Sequence, residues 1–379
     1  MGGRGLVKKL IPPLSQSLHK GKCGKIGVIG GSLEYTGAPY YAGFSALKVG
    51  ADLSHIFCTR EAGIPIKSYS PELIVHPVLA TEECLEDKND DEKSKKLIEK
   101  SVEAVQNWFT RLSVLIIGPG LGRDPIVIKT VTEIITLAKD LNIPIILDGV
   151  CCFIYLFILL HLQFFGYFWE GNFPIFLNLN CYYFSFQLTG HLKIYYYYTM
   201  FAKIQFFFSS SSIIKDALWL VGQNKGIVKG NEQCILLPNV NEFQRLQSTK
   251  DQTVEELSEE LGVIIIEKGK FDKIAGPKGK MEICKEEGSP RRCGGQGDCL
   301  SGTVGVFMGW ANEFIKNNKE EDAVEIKLAA CHAASSLVRQ CMNRAFKLHH
   351  RGTTSVELIQ EIPETFHEMF ENGTYYNCD

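Results

Sequence analysis

Short apolar runs alternate with longer stretches of helical spacing along most of the chain. Residues 25–29, 53–58, 114–117, 144–147, 234–237 and 263–266 are rich in Ile, Val and Leu, and each run is bounded by Gly, Pro, Asn or Asp. That pattern predicts buried strands. Residues 39–49 begin on Pro39 and are followed by Gly50, the asymmetry of a helix start and stop. Residues 126–141 and 323–346 carry helical periodicity as well. Near-continuous apolar strands separated by helices predict an α/β class with a mostly parallel sheet covered on both faces. The charged run 88–100 reads as a solvated loop and helix start.

Residues 150–215 break the pattern. They are dense in Phe, Tyr, Ile, Leu, Asn and Ser and contain no Asp or Arg. Residues 151–169 are uncharged and just long enough for a membrane span. Yet the segment falls between a strand end, Leu147-Asp148, and a helix start, Asp216-Ala217-Leu218-Trp219. A span there would separate elements that must pack together. Phe, Tyr, Ile, Asn and Lys are what A·T-rich non-coding sequence encodes, so the expectation is a retained intron or gene-model error. Residues 1–149 and 216–379 then form a single domain.

Composition narrows the class further. The chain has 379 residues, 45% hydrophobic and 22% charged, ordinary for a globular protein with a sizeable core. A net charge of -3 gives no basic field for nucleic acid or acidic membranes. The 13 cysteines show no zinc-ligand spacing. With no secretory pattern at the start, reduced thiols and a cytoplasmic location are expected, a mitochondrial form remaining open. The oligomeric state is open too, a homo-oligomer included.

The chemistry gathers at turns that follow strands. Gly288-Ser289-Pro290-Arg291-Arg292-Cys293-Gly294-Gly295-Gln296-Gly297-Asp298 precedes an apolar helical run. Glycines there let backbone N–H groups approach an anion, and the helix start adds partial positive charge. The turn suits ATP phosphates. Asp298 is placed to take a proton from an attacking hydroxyl, or simply to cap the helix. Asn239 and Glu242 in Pro238-Asn239-Val240-Asn241-Glu242 could organise Mg²⁺ through water, or could form a capping box. Lys268-Gly269-Lys270-Phe271-Asp272 and Gly118-Pro119-Gly120-Leu121-Gly122 each follow a strand, where open α/β sheets bind ligands.

Several long motifs resemble the eukaryotic ATP-dependent NAD(P)H-hydrate dehydratase family. They are Ile26-Gly-Val-Ile-Gly-Gly31, Glu34-Tyr-Thr-Gly-Ala-Pro39, Ala46-Leu-Lys-Val-Gly-Ala-Asp-Leu-Ser54, Tyr69-Ser-Pro-Glu-Leu-Ile-Val-His-Pro77, Gly118-Pro-Gly-Leu-Gly-Arg123 and Arg291-Arg-Cys-Gly-Gly-Gln-Gly-Asp298. Removing residues 150–215 would leave a continuous Leu-Asp-x-Asp-Ala-Leu-Trp, which looks like the family's pattern there. The resemblance implies a ribokinase-like three-layer α/β/α sandwich with its active site on the C-terminal edge of the strands. It implies ATP and Mg²⁺ as cofactors, and the 6-hydroxy hydrates of NADH and NADPH as substrates. Carried over by motif, Lys268, Gly269, Lys270, Phe271, Asp272 and the run from Gly288 through Gly297 would hold ATP. Gly120, Gly122, Asn239, Val240, Asn241, Glu242, Phe243, Gln244, Arg245 and Asp298 would hold the hydrate, with Asp298 as catalytic base. The other enzymatic reading is a kinase of a vitamin-precursor alcohol of hydroxymethylpyrimidine or thiazole type, which shares the Gly-x-Gly-Asp turn.

Overall fold

The computed structural model describes residues 2–14, 19, 21–149, 176–179, 182–185 and 217–372. The chain divides into two units, Met1–Val150 with Lys215–Asp379, and Cys151–Ile214. In the second, the described strands β6 (Phe176–Leu179) and β7 (Tyr182–Ser185) pair antiparallel. Most of the 150–215 stretch, its uncharged run 151–169 and Asp216 lie outside the described residues.

The first unit is built on one sheet. Its strands are β1 (Lys25–Ile29), β2 (Leu53–Thr59), β3 (Leu73–Leu79), β4 (Val114–Ile117), β5 (Ile145–Asp148), β8 (Cys234–Leu237), β9 (Ile264–Glu267), β10 (Asp272–Gly276) and β11 (Lys280–Cys284). Their order is β11-β10-β9-β8-β5-β4-β1-β2-β3. Every pairing from β3 to β9 is parallel, whereas β10 runs antiparallel to both neighbours. The predicted parallel sheet is present, within a residue or so at each predicted strand.

Three strands lie outside the apolar-run pattern for physical reasons. β3 alternates buried and partly exposed positions and carries Pro77, which an edge strand tolerates. β10 and β11 form a hairpin in which Lys273, Lys280 and Glu282 interrupt the apolar signal.

Helices α1 (Gly2–Leu10), α2 (Gly37–Val49), α3 (Arg60–Tyr69), α4 (Asp91–Gln106), α5 (Pro125–Asp140), α6 (Ala217–Gln223), α7 (Val240–Leu246), α8 (Val254–Leu261), α9 (Gln296–Asn317), α10 (Ala323–His349) and α11 (Ser355–Phe366) complete the unit. Local chemistry sets their starts. The Asp124 side chain accepts from the Ile126 and Val127 amides, with Pro125 at the first position of α5. Successive strand residues feed opposite cores. Ile116, Ile146 and Ile235 pack with α2, α9 and α10 residues such as Ala42, Phe307 and Leu337. Leu115, Leu147 and Leu236 pack with Val102, Ile134 and Leu257 of the helices on the other face. Burying each such side chain stabilises the fold by about 1.5–3 kcal/mol, so both faces of the sheet are anchored. Among the described residues no helix is long and apolar enough to cross a membrane.

The strand order reverses between β1 and β4, and the backbone is crowded at that point. The Gly31 amide donates to the carbonyls of Pro119 and Gly120 at 3.0 and 3.1 Å. Gly118 has φ 128°, and a Cβ there would lie 2.0 Å from the Asp148 carbonyl oxygen. Gly118→Ala is therefore expected to lower the melting temperature by more than about 5 °C or to abolish soluble expression. A thermal melt within about 1 °C of the parent would reject that account.

Candidate active site

The C-terminal ends of β5, β8 and β9 bring ionisable side chains together. Asp148 ends β5 and is 1% exposed, and its Oδ1 accepts from Lys268 Nζ at 2.6 Å. Lys268 follows β9, and its own amide bonds to the Pro238 carbonyl at the end of β8. That bond sets the two strand exits side by side. Glu242, in the first turn of α7, is 5% exposed. Asp298 sits in the first turn of α9. A Cβ added to Gly297 would lie 3.3 Å from Lys268 Nζ and 3.7 Å from Asp148 Oδ2. The start of α9 thus meets the Asp148–Lys268 pair with only a glycine between them.

Three carboxylates around one ammonium group make a site rich in negative charge. Burial, then the neighbouring Asp148 carboxylate, and further Glu242, push the Asp298 carboxyl up to about 7, against the opposing pull of Lys268. Burial likewise raises Glu242, partly offset by Lys268. Burial works against the charge on Lys268, but Asp148 and Glu242 outweigh it and hold the ammonium above the ordinary lysine range. Asp148 Oδ2 and Glu242 Oε1 are buried with no hydrogen-bond partner among the described residues. Such atoms cost roughly 1–3 kcal/mol each when left unpaired, a cost that a bound cation or donor would remove.

The Gly-rich loop ends at a helix start. Gly295 is left-handed at φ 90° and starts α9. A helix start leaves its first N–H groups without intrahelical partners. The loop and the Lys268 turn are held by the same helix. Arg339 of α10 donates to both Asp272 oxygens at 2.8 and 2.5 Å and to the carbonyls of Gly269 and Lys270. Four residues on, Asn343 donates to the Gly288 carbonyl at 3.0 Å.

The sequence-predicted residues divide by environment. Asp298, Lys268 and Glu242 converge as described, with Gly297 between them. The Asp272 carboxylate is engaged by Arg339, so the side chains this turn exposes are those of Lys270 and Phe271. Asn239 and Glu242 form a capping box. Asn239 Oδ1 accepts from the Asn241 and Glu242 amides, and Glu242 Oε2 accepts from the Asn239 amide. Glu242 Oε1 is the buried oxygen of that pair with no partner among the described residues. Phe243 is a core side chain at 6% exposure, whereas Val240, Asn241, Gln244 and Arg245 are exposed. Gly120 and Gly122 lie in the crowded turn after β4, against Tyr35 and Ser32. Among the described residues no group of three His, Cys, Asp or Glu is arranged to hold a metal by itself.

Sequence reasoning missed Asp148 and Arg339 as parts of this site. An acidic residue closing an apolar strand was the available signal for Asp148, and the abrupt change of composition after Gly149 obscured it. Arg339 sits mid-helix with no local pattern to distinguish it.

A mostly parallel sheet flanked by helices, with a Gly-x-Gly-Asp helix start beside its strand ends, defines the ribokinase-like class. A ribokinase-like superfamily protein from Enterococcus faecalis superposes with a TM-score of 0.60 at 17% identity, covering 97% of each chain. The Bacillus subtilis ADP/ATP-dependent NAD(P)H-hydrate dehydratase, co-crystallised with ATP/Mg2+, gives 0.53 at 17% identity over 96% of each chain. The model of the NAD(P)H-hydrate dehydratase family matches residues 26–154 and 210–364, and the chain belongs to that family. ATP-dependent (S)-NAD(P)H-hydrate dehydratases from Danio rerio and Homo sapiens are 36% and 35% identical to it. They align over 97% of this chain and over 88% and 84% of their own lengths.

Proposed function

We propose that this chain is an ATP-dependent dehydratase that returns the (6S)-hydrates of NADH and NADPH to the working cofactors. Family membership supports the substrate, and the placement of Asp298 against the Asp148–Lys268 pair at the start of α9 supports the chemistry. Hydroxide is a poor leaving group and phosphate a good one. Asp298 takes the proton of the C6 hydroxyl as that oxygen attacks the γ-phosphorus of ATP, releasing ADP. The lone pair of the tetrahydropyridine ring nitrogen then expels phosphate from C6, and loss of the C5 proton restores the double bond of the dihydropyridine. Lys268 and the first amides of α9 face the transferring phosphoryl group and stabilise its charge.

Magnesium fits the donor set. Glu242 Oε1 and Asp148 Oδ2 are hard oxygen atoms, buried and unpaired, and would hold a hydrated Mg²⁺ directly or through water. When bound, the ion supplies charge neutralisation for the ATP phosphates. Asn239 would act through the capping box that orients Glu242.

The reading that residues 150–215 are foreign to the working enzyme is supported by where the family model matches, because the two matched stretches leave 155–209 between them. Purified chains with and without residues 150–215 are to be given NADPH hydrate, with and without ATP, and followed at the reduced-nicotinamide absorbance. Recovery is expected only with ATP, and at least tenfold faster in the shorter chain. ATP-independent recovery, or ADP release with a thiazole or pyrimidine alcohol but none with hydrate, would overturn the assignment.

A further inference from the structure

The glycines that shape the anion-binding loop cannot fix its conformation by themselves, since glycine has the widest backbone freedom of any residue. Gly294 and Gly295 adjoin the amides at the start of α9, and Gly295, which starts that helix, holds φ at 90°. Their restraint comes from residues distant in sequence. Ser355, the first residue of α11, is 1% exposed and donates its hydroxyl to the Gly294 carbonyl at 2.7 Å. The same oxygen lies 3.7 Å from Cys293 Sγ. It would also stand 2.8 Å from a Cβ on Gly295, while the Tyr41 ring of α2 would stand at 2.6 Å. Residues 293–295 are therefore clamped between the start of α11 and the first turns of α2.

We propose that Ser355 is a positioning residue for phosphoryl transfer, its hydroxyl fixing the Gly294–Gly295 peptide so that the first amides of α9 point at the terminal phosphates of ATP. The contacts of the Ser355 hydroxyl are with the loop and the α9 start, and its effect passes through them. The α11 start does not depend on this hydroxyl for its cap. Thr354 supplies the cap, its side chain accepting from the Val356 amide and Glu357 accepting from the Thr354 amide. The Ser355 hydroxyl is thereby left for the loop and for the Cys299 thiol in the first turn of α9.

The proposal rests on the ATP-dependent reading above, and nucleotide binding tests it separately from turnover. In the full chain, Ser355→Ala is expected to weaken ATP binding about tenfold and leave AMP binding within about twofold, as read by nucleotide-induced shifts in melting temperature. Where hydrate turnover is measurable, kcat should fall roughly tenfold with little change in KM for hydrate. Ser355→Thr keeps the hydroxyl and should restore most of the ATP response. Should the Ala variant not fold, Ser355→Cys, a weak donor of similar size, is read in the same way under reducing conditions. An equal loss of ATP and AMP binding, ATP binding within about twofold of the parent, or a Thr variant as impaired as the Ala variant would each overturn the proposal. A parent chain that binds ATP but never converts hydrate would instead count against the dehydratase reading and leave the Ser355 test intact.

Discussion

Asp298→Asn is expected to lower hydrate turnover about 10³-fold while ATP binding persists, within the usual contribution of a general base. The substitution keeps the side chain's size and leaves Gly295, Gly297 and the start of α9 unchanged, so the phosphate cradle should survive. The pH dependence provides a second and independent reading. A base must be unprotonated to act, and the environment of Asp298 raises its carboxyl from the ordinary 3.8 to about 7. The parent's kcat/KM should therefore climb through a midpoint near pH 7 and level off above it, and the residual activity of the Asn variant should lack that step. Near-normal NADPH recovery in the variant, or a profile that keeps the same step, would remove Asp298 from the role of base.

The same carboxyl makes a stability prediction of determined sign. Its folded value lies above its unfolded value, so between about pH 4 and about pH 7 the native chain binds the proton more tightly than the unfolded chain. Stability on this account is full below that window and falls as pH rises through it. Asn carries no such penalty. The variant should match the parent near pH 4 and exceed it by roughly 2 kcal/mol at pH 8, a figure reduced from the full shift because Asp148 and Glu242 share the effect. A catalytic group whose removal stabilises the protein is the expected cost of holding charge in a site built for a ligand.

How far the sequence reached depended on whether a feature was local. β4 and β8 are apolar runs bounded by breakers, and their spans coincide with the predicted ones. The Gly-rich run ahead of α9 suggested an anion site because several glycines and an acidic residue lie within one short stretch. The Asn239–Glu242 spacing could not separate a cap from a cation site, since both need oxygen atoms three residues apart. In the fold Asn239 Oδ1 and Glu242 Oε2 serve the cap, and Glu242 Oε1 stays unpaired. Asp148–Lys268 and Ser355–Gly294 join positions 120 and 61 residues apart, and no periodicity records such a pairing. Only the parallel order of β5, β8 and β9 brings the first pair together, and only the packing of α11 beside the loop brings the second.

Lys268→Met is expected to destabilise the chain by about 3 kcal/mol or more at pH 8, the scale of leaving a buried charge without its partner. Lys268 is the counter-ion at 2.6 Å from Asp148, and its charge also favours ionisation of Glu242 and Asp298. Without it the three carboxyls repel one another, and Glu242 and Asp298 hold their protons more tightly in the folded state. Their folded values rise, so the loss should be largest above pH 7 and shrink toward pH 5 as protons replace the ammonium. Melting curves should show a fall of roughly 5–10 °C at pH 8 and less than half of that at pH 5. Asp148→Asn added to Lys268→Met should recover a large part of the difference, because the deepest of the three charges is then gone. A single variant that melts within about 2 °C of the parent at both pH values would show that the ion pair does not hold this cluster together. A double variant no more stable than the single would show that Asp148 is not the group Lys268 neutralises. Turnover should fall in both variants, since the ammonium that balances these carboxylates is the same one proposed to face the phosphates of ATP.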